Sequence, residues 1–338
     1  MFIRAGIDTR VTEVDFQRLS EDQSFTSIVQ RTRLSYDRNT PKAGPSSIII
    51  KSALPGAKRS TFLPLCYARE ISFYRELANR LNIGLPRVYY AEIDPHTSHF
   101  ILVLEDFPYY VAGDNRKGAT RCQAIALLDE MARYHAQWWN SDELKQFSFL
   151  GTFEMWCDLF ESMVLKNIGA FIERHWDFIE AAERKVFEAL PLGFRRAVAP
   201  LANAPATLVH HDLSLKNTLI EDIPGHPKFV VIDWQQVSIA PAVRDMSFFI
   251  GTSLMPALRY EMEFELLHSY HSRLQEFGVR GYSFSRLIDD YRRSVICDYA
   301  RIIASDISAT RASISLVRQR IRRCTGSAQE LRLMELLE

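Results

Sequence analysis

The sequence lacks a surplus of charge of either sign. Its 338 residues carry 41 Lys and Arg against 41 Asp and Glu, a formal net charge of zero. Nucleic acid as a ligand wants a basic face, so the balance argues against it. No apolar run approaches the ~18 residues that a membrane-crossing helix needs, and no membrane insertion is expected. The opening residues, Met1-Phe2-Ile3-Arg4-Ala5-Gly6-Ile7-Asp8, do not have the pattern of a secretory signal. Cysteine is sparse: Cys66, Cys122, Cys157, Cys297 and Cys324 are scattered and odd in number. No pair has zinc or redox spacing, so they read as reduced core thiols in a cytoplasmic protein. Internal repeats and low-complexity segments are absent.

What is present is ample apolar material. A hydrophobic content of 47% supports a sizeable core, and the length fits two small domains or a single large bilobal domain. Residues 1–25 are polar and weakly patterned, with a short helix expected near Val11–Leu19. Ser27-Ile28-Val29 and Thr32-Arg33-Leu34-Ser35-Tyr36 alternate enough for a strand or two. Past a gap holding Pro41, Gly44 and Pro45, the β-branched run Ser47-Ile48-Ile49-Ile50 closes on Lys51. Residues 62–81 have helical periodicity and contain Glu70 and Glu76. Two more strands are expected over 88–91 and 99–104, the second running into Glu105-Asp106-Phe107. From Thr120 onward the pattern is helical: over 120–140, over 152–190, and near 256–278, 284–305 and 308–337.

The chemistry concentrates between Val209 and Gln235. Asp212 and Asn217 lie five residues apart, leading into the apolar run Thr218-Leu219-Ile220. Asp233 ends a second run, Phe229-Val230-Val231-Ile232, and Pro224-Gly225 lies between the two, so the pair reads as a hairpin. An Asp, an Asn and a second Asp offer hard oxygen donors suited to Mg²⁺. Phosphoryl transfer uses such a set, one carboxylate for the attacking hydroxyl and the other two groups for metal. The bland alternative is a pair of exposed turn carboxylates and an Asn. The ordered triple in its strand contexts favours the functional reading.

His210-His211-Asp212-Leu213 through Asn217 resembles the His-Gly-Asp-Leu…Asn motif of the aminoglycoside phosphotransferase and choline kinase superfamily. Ile232-Asp233-Trp234-Gln235, followed by Pro241 and Arg244-Asp245, is similar to its ecdysteroid-kinase-like branch. The resemblance implies an α+β, protein-kinase-like bilobal fold, with a small antiparallel-sheet N-lobe over residues 1–106 and a larger, mostly helical C-lobe over 107–338. It also implies ATP-dependent phosphorylation of a small-molecule hydroxyl, with ATP and Mg²⁺ as cofactors. On this reading Asp212 accepts the acceptor proton, and Asn217 and Asp233 hold metal. Lys51 alone reads as well as an edge or snorkelling lysine. The segment Ala68-Arg69-Glu70-Ile71-Ser72-Phe73-Tyr74 resembles the family's Glu-x-x-Phe-Tyr, which makes Glu70 its counter-charge and leaves Glu76 in solvent. Glu105 and Asp106 fall where backbone groups of the kinase hinge bind adenine. The phosphate-covering loop departs from the family: Glu21 to Ser27 contains no glycine, and Ser24, Thr26 and Ser27 are the candidate hydroxyl donors. A second departure is His211 in place of glycine, a residue that tightens the loop or touches substrate. His135, with Trp138 and Trp139, resembles a structural helix of the family and reads as a core histidine.

Three functions compete on these residues. They are a small-molecule phosphotransferase, a nucleotide-binding module without turnover, motivated by the missing glycines, and AMP transfer on the same fold. Filled catalytic positions favour the first. The sequence after residue 196 has no acidic excess for a polycationic acceptor. An aromatic content of 12% and the Phe/Trp/Met-rich 152–190 segment favour a lipophilic or mixed alcohol. A choline cage would need aromatics around one point. Trp156, Trp176 and Tyr270 are candidates, with core packing the plainer reading of all three.

Overall fold

The computed structural model describes residues 11–19, 27–37, 44–56, 62–306 and 311–338. Ser24 and Thr26 lie outside them. The chain divides into two compact units. The first comprises Met1–Val111 together with Val230–Val237, and the second Ala112–Phe229 with Ser238–Glu338. The segment carrying Asp233 thus belongs to the first unit, although it falls within the 107–338 span that the sequence pattern assigns to the C-lobe.

The first unit is built on a five-stranded antiparallel sheet, ordered β1 (Val11–Arg18), β2 (Ser27–Tyr36), β3 (Ser47–Ala53), β5 (Phe100–Glu105) and β4 (Val88–Ile93). β3 is central because its isoleucines suit a pleated strand paired on both sides. Lys51 sits opposite Val29 on one neighbour and Leu102 on the other. Ile48, Tyr89 and Val103 form the buried cluster of the sheet, with Leu34, Ile50, Tyr90 and Ile101 packed against it. Helix α1 (Leu63–Ser72) carries Pro64 in its first turn and continues as a π-helical turn over Phe73–Leu77. Its Tyr67 ring lies 4.6 Å from Phe100 of β5.

The helix expected near Val11–Leu19 is instead strand β1. Seven of its eight residues are exposed, so no apolar face is there to reward a helix. The Val, Thr and Phe side chains suit the pleat, and the ladder to β2 supplies the backbone partners. The two strand fragments expected over 27–36 form one continuous strand.

The second unit is mostly helical. Its helices are α2 (Arg121–Gln137), α3 (Phe153–His175), α4 (Ala181–Val198), α5 (Val243–Ser253), α6 (Pro256–Glu276), α7 (Phe284–Ala304), α8 (Arg311–Cys324), α9 (Ser327–Glu330) and α10 (Met334–Leu337). Short strands lie between them: β7 (Gly151–Thr152), β8 (Ala206–Val209), β9 (Thr218–Glu221) and β11 (Ser238–Pro241), while β6 (Val111–Ala112) and β10 (Lys228–Val231) span the points where the chain passes from one unit to the other. β9 and β10 are sheet neighbours around a turn where Gly225 has φ +77°, a left-handed conformation that glycine adopts without strain. β11 pairs antiparallel with β8. α2 starts at a capping box, in which the Thr120 hydroxyl accepts from Gln123 N and the Gln123 side chain accepts from Thr120 N. α3, α4 and α7 share an aromatic core in which the Phe187 ring lies 4.9 Å from Phe171 and 5.0 Å from Tyr299. Each such fully buried ring contributes about 2–3 kcal/mol.

Two features of this unit differ from the expectation. The single helix expected over 308–337 is three pieces, because Gly326 at φ +89° turns the chain between α8 and α9 and Arg332 at φ +48° turns it again between α9 and α10. Helix α5 has no counterpart among the expected elements. Residues 243–250 are all buried, and a helix covered on every side shows no amphipathic stripe. Among the described residues no helix is long and apolar enough to cross a membrane.

Candidate active site

Lys51 is the centre of the polar cluster in the first unit. It is only 8% exposed. Its Nζ lies 2.8 Å from Glu70 Oε1 and 2.6 Å from Asp233 Oδ1. The pairing of Lys51 with Glu70 follows from strand and helix geometry: β3 presents the lysine, and the buried face of α1 presents the glutamate. Glu76, two turns on, is exposed. Burial opposes the charge on Lys51, but Asp233 and Glu70 outweigh it and hold the ammonium well above its ordinary value. Glu70 is 1% exposed. Burial, aided by the charge of Asp233, pushes its carboxyl up to about 7 against the pull of Lys51.

Asp233 occupies a left-handed backbone conformation, φ +68°. Such a conformation costs a non-glycine residue about 1–2 kcal/mol and persists where neighbours fix it. Here Gln235 Nε2 donates to Asp233 Oδ2 at 3.2 Å. The next residue, Trp234, is fully buried and stacks on Phe73 at 4.4 Å with the rings 7° apart.

The other first-unit candidates are tied into the sheet. Ser27 is buried at the start of β2, opposite Ala53. Arg31 Nη2 donates to Asp106 Oδ1 at 3.0 Å, and Ser47 Oγ donates to Asp106 Oδ2 at 2.6 Å. Glu105 Oε2 accepts from Arg87 N at 3.1 Å. The side chains of both hinge carboxylates therefore serve the sheet.

The second cluster surrounds the loop after β8. Buried Asp245, on α5, accepts from His210 N at 2.8 Å and from His211 N at 2.7 Å, and it also accepts from Tyr134 OH. One carboxylate thereby fixes two consecutive backbone amides. His211 has φ +68°, which explains the glycine usual at this position: no side chain is needed there, and L residues are strained. Its ring is 1% exposed and stacks on Trp156 at 4.6 Å. Among the described residues neither ring nitrogen has a hydrogen-bond partner. Burial, then the nearby Arg244 and Arg301, keeps this imidazole neutral, well below its usual range.

Asp212 is buried beside it. Arg301 Nη2 donates to Asp212 Oδ1 at 2.8 Å, and Asn217 Nδ2 donates to Oδ2 at 3.1 Å and to the backbone carbonyl at 2.8 Å. Lys216 Nζ lies 3.5 Å from Oδ2. Burial by itself would raise this carboxyl. Lys216, Arg301 and Arg320 overcome it, so the group stays ionised well below the usual carboxylate range.

The sequence pattern by itself gives Arg301 no role. It sits on α7, 89 residues from its partner. Its signal is positional: Leu287, Asp290, Ser294, Cys297 and Arg301 recur at helical spacing on the buried face of α7. An arginine on such a stripe needs a buried acceptor. In the sequence Asp245 reads only as a member of a motif, and its clamp on the loop amides has no local signature. His135 is a core residue as expected, with Nδ1 2.7 Å from Tyr270 OH. That contact and the Trp156 stack commit two of the candidate cage aromatics to packing. The third, Trp176, carries the Arg184 guanidinium 3.6 Å over its ring.

Among the described residues no group of three or more His, Cys, Asp and Glu side chains could hold a metal ion. The donor chemistry for a hard cation is nonetheless present in each cluster. Asn217 turns its amide nitrogen onto Asp212, which leaves its oxygen as the free donor type, and Asp233 contributes a partly exposed carboxylate.

The model of the ecdysteroid kinase-like family matches residues 21–279. The chain belongs to the ecdysteroid kinase-like family. A comparison with curated proteins gives no match. Among solved structures, this ecdysteroid kinase-like protein is similar to an ethanolamine kinase from Plasmodium vivax, at 14% identity and TM-score 0.59 over 93% of this chain and 81% of that one. It is similar to wild-type aminoglycoside 2'-phosphotransferase-IIIa in its GDP complex, at 13% identity and TM-score 0.57 over 99% and 96%. It is also similar to a microcompartment-associated aminopropanol kinase, at 14% identity and TM-score 0.56 over 99% and 98%. At these identities the likeness shows the fold, which is protein-kinase-like: an antiparallel-sheet unit and a mostly helical one.

Proposed function

We propose that this ecdysteroid kinase-like protein transfers the terminal phosphate of ATP to a hydroxyl of a small molecule in the cytoplasm. The observation that carries the reading is the buried Lys51 held between Glu70 and Asp233 at 2.8 and 2.6 Å. A lysine that stays charged in a buried setting, oriented by two carboxylates, suits phosphate oxygens. Glu70 orients the lysine, and binding of a nucleotide gives the ammonium further acceptors.

In the second unit Asp212 is the group for the acceptor. Its carboxylate is ionised and acceptor-only, so it takes a hydrogen bond from the alcohol and aligns its oxygen. As that oxygen bonds to the terminal phosphorus and the bond to the ADP oxygen breaks, the alcohol proton passes to Asp212. A carboxylate held this acidic is a weak base, so orientation is its larger contribution. Asn217 and Asp233 are the residues that would hold Mg²⁺, which neutralises phosphate charge when bound.

The test is ATP consumption with pools of alcohol metabolites, together with the mass of the product, which separates phosphate from AMP transfer. GTP belongs in the same assay, because one structural relative is a GDP complex. Asp212→Asn should abolish turnover and leave MgATP affinity unchanged by calorimetry. Wild-type turnover in that variant would refute the assignment. MgATP binding without turnover on any acceptor would instead make the protein a nucleotide-binding module.

A further inference from the structure

Cations outnumber carboxylates around Asp212. Arg301 and Lys216 lie 2.8 and 3.5 Å from its two oxygens. A third cation, Arg320 of α8, shares the Phe248 ring with Arg301: the two guanidinium carbons lie 5.8 and 4.0 Å from its centroid. Arg320 donates to Ser305 Oγ, and among the described residues no carboxylate lies within ion-pair distance of it. The acids nearby pair with other arginines, although Asp298 Oδ2 and Asp306 Oδ1 have no hydrogen-bond partner among the described residues. Asp298 pairs with Arg244 at 3.0 Å, Glu263 with Arg259 at 2.8 Å, and Asp306 with Arg174. Burial, then repulsion from Arg301, lowers Arg320 to about 10 against the pull of the Asp212 and Asp298 charges, which leaves it charged at neutral pH. A void of about 30 Å³ lies against Phe248, Asp298, Arg301 and Arg320. That exceeds the roughly 10–15 Å³ that one water needs on this measure.

We infer that the acceptor alcohol carries an anionic group, such as a carboxylate, sulfate or phosphate ester, which the Arg301 and Arg320 guanidinia receive. A half-buried guanidinium with one neutral hydrogen bond is costly to maintain unless an anion completes its partners. Planar guanidinium groups match oxyanions in geometry as well as charge. A cationic amine brought to the same carboxylate would meet Lys216, Arg301 and Arg320 together. The inference rests on the phosphotransferase reading and deepens it from "alcohol" to "anionic alcohol".

The test uses three probes of one skeleton: ω-hydroxydodecanoate, its primary amide, and the matching amino alcohol. With MgATP, kcat/KM should be at least about tenfold higher for the carboxylate than for the amide, with the amine poorest. Arg320→Gln should erase the carboxylate preference, and Arg320→Lys should keep most of it. Equal use of the three probes, better use of the amine, use of none, or a preference that survives Arg320→Gln overturns the inference. So does an Arg320→Gln effect confined to the KM for MgATP, which would assign the cations to the nucleotide. If Arg320→Gln does not fold, the wild-type probe order and Arg320→Lys decide alone. Calorimetry separates the two levels: absence of MgATP binding defeats the phosphotransferase reading itself, whereas the inference fails with MgATP binding intact.

Discussion

Arg301 holds Asp212 and the residue before it at once: one terminal nitrogen lies 2.8 Å from Asp212 Oδ1, and the other donates to the His211 carbonyl. The pair is buried on both sides. Removing one partner of a buried ion pair strands the other's charge, which costs about 3–5 kcal/mol. Arg301→Met should therefore destabilise the protein by that order. The loss should be much smaller in an Asp212→Asn background. Urea denaturation of the four proteins checks it, with a coupling energy above about 1 kcal/mol expected. Additive effects would mean that the contact carries no energy. In turnover, Arg301→Lys should lower kcat more than it raises KM, because the lysine keeps the charge and loses the two-point hold.

His211 gives a prediction of rank order. Its positive φ strains any side chain, and its ring contributes a stack on Trp156. His211→Gly loses the stack and relieves the strain. His211→Ala loses the stack and keeps the strain. The alanine variant should therefore be the less stable of the two, by about 1 kcal/mol. Equal melting temperatures for the two variants would show that the loop relaxes out of the left-handed conformation.

How far the sequence was legible follows from the range of each signal. Lys51 closes an isoleucine run and Glu70 lies within a helical pattern, so local periodicity places both, and their contact follows from a strand beneath a helix. Asp212, Asn217 and Asp233 stand out because each interrupts or ends an apolar run. Arg301 reads as one more helix arginine until α7 is folded against the loop. Helix α5 was illegible because burial on all faces removes the stripe that marks a helix. β1 differs from the helix expected there because an exposed strand is selected by ladder hydrogen bonds with β2, a partner that periodicity does not report.

Glu70 gives the first-unit cluster a pH signature in the absence of nucleotide and metal. Its carboxyl is pushed from an ordinary 4.5 to about 7, by burial first and the Asp233 charge next. A group raised on folding takes up a proton as the chain folds. Its contribution to stability is complete below 4.5 and is lost as pH rises through about 7. Glu70→Gln cannot ionise, so its stability should fall less between pH 5 and 8 than that of the wild type. Parallel stability curves across that window would show that Lys51 keeps Glu70 ionised throughout.

Asp245 should behave in the opposite sense. Burial alone would raise its carboxyl, but the His135 hydrogen bond, the charges of His135 and His210, and the Tyr134 hydroxyl hold it well below its ordinary 3.8. The amides of His210 and His211 also point at it, at 2.8 and 2.7 Å. The unfolded chain then binds the proton more readily than the folded one. The stabilisation is therefore complete above the ordinary carboxylate range and is lost as pH falls through the folded value. Asp245→Asn keeps the volume and discards the charge, and it turns an NH₂ group toward at least one loop amide, setting donor against donor. At pH 7 the variant should lose several kcal/mol, as expected for a buried charged acceptor. The gap to wild type should narrow as pH drops below about 4, where only the wild type has stabilisation left to lose. Urea denaturation of both proteins between about pH 7 and 3 measures this difference; Asp212 titrates alike in both and cancels, and a His135→Gln background removes the partner whose own titration Asp245 shifts. A gap that stays constant to low pH would mean that the Asp245 charge does not hold the loop, and that the clamp acts through shape alone.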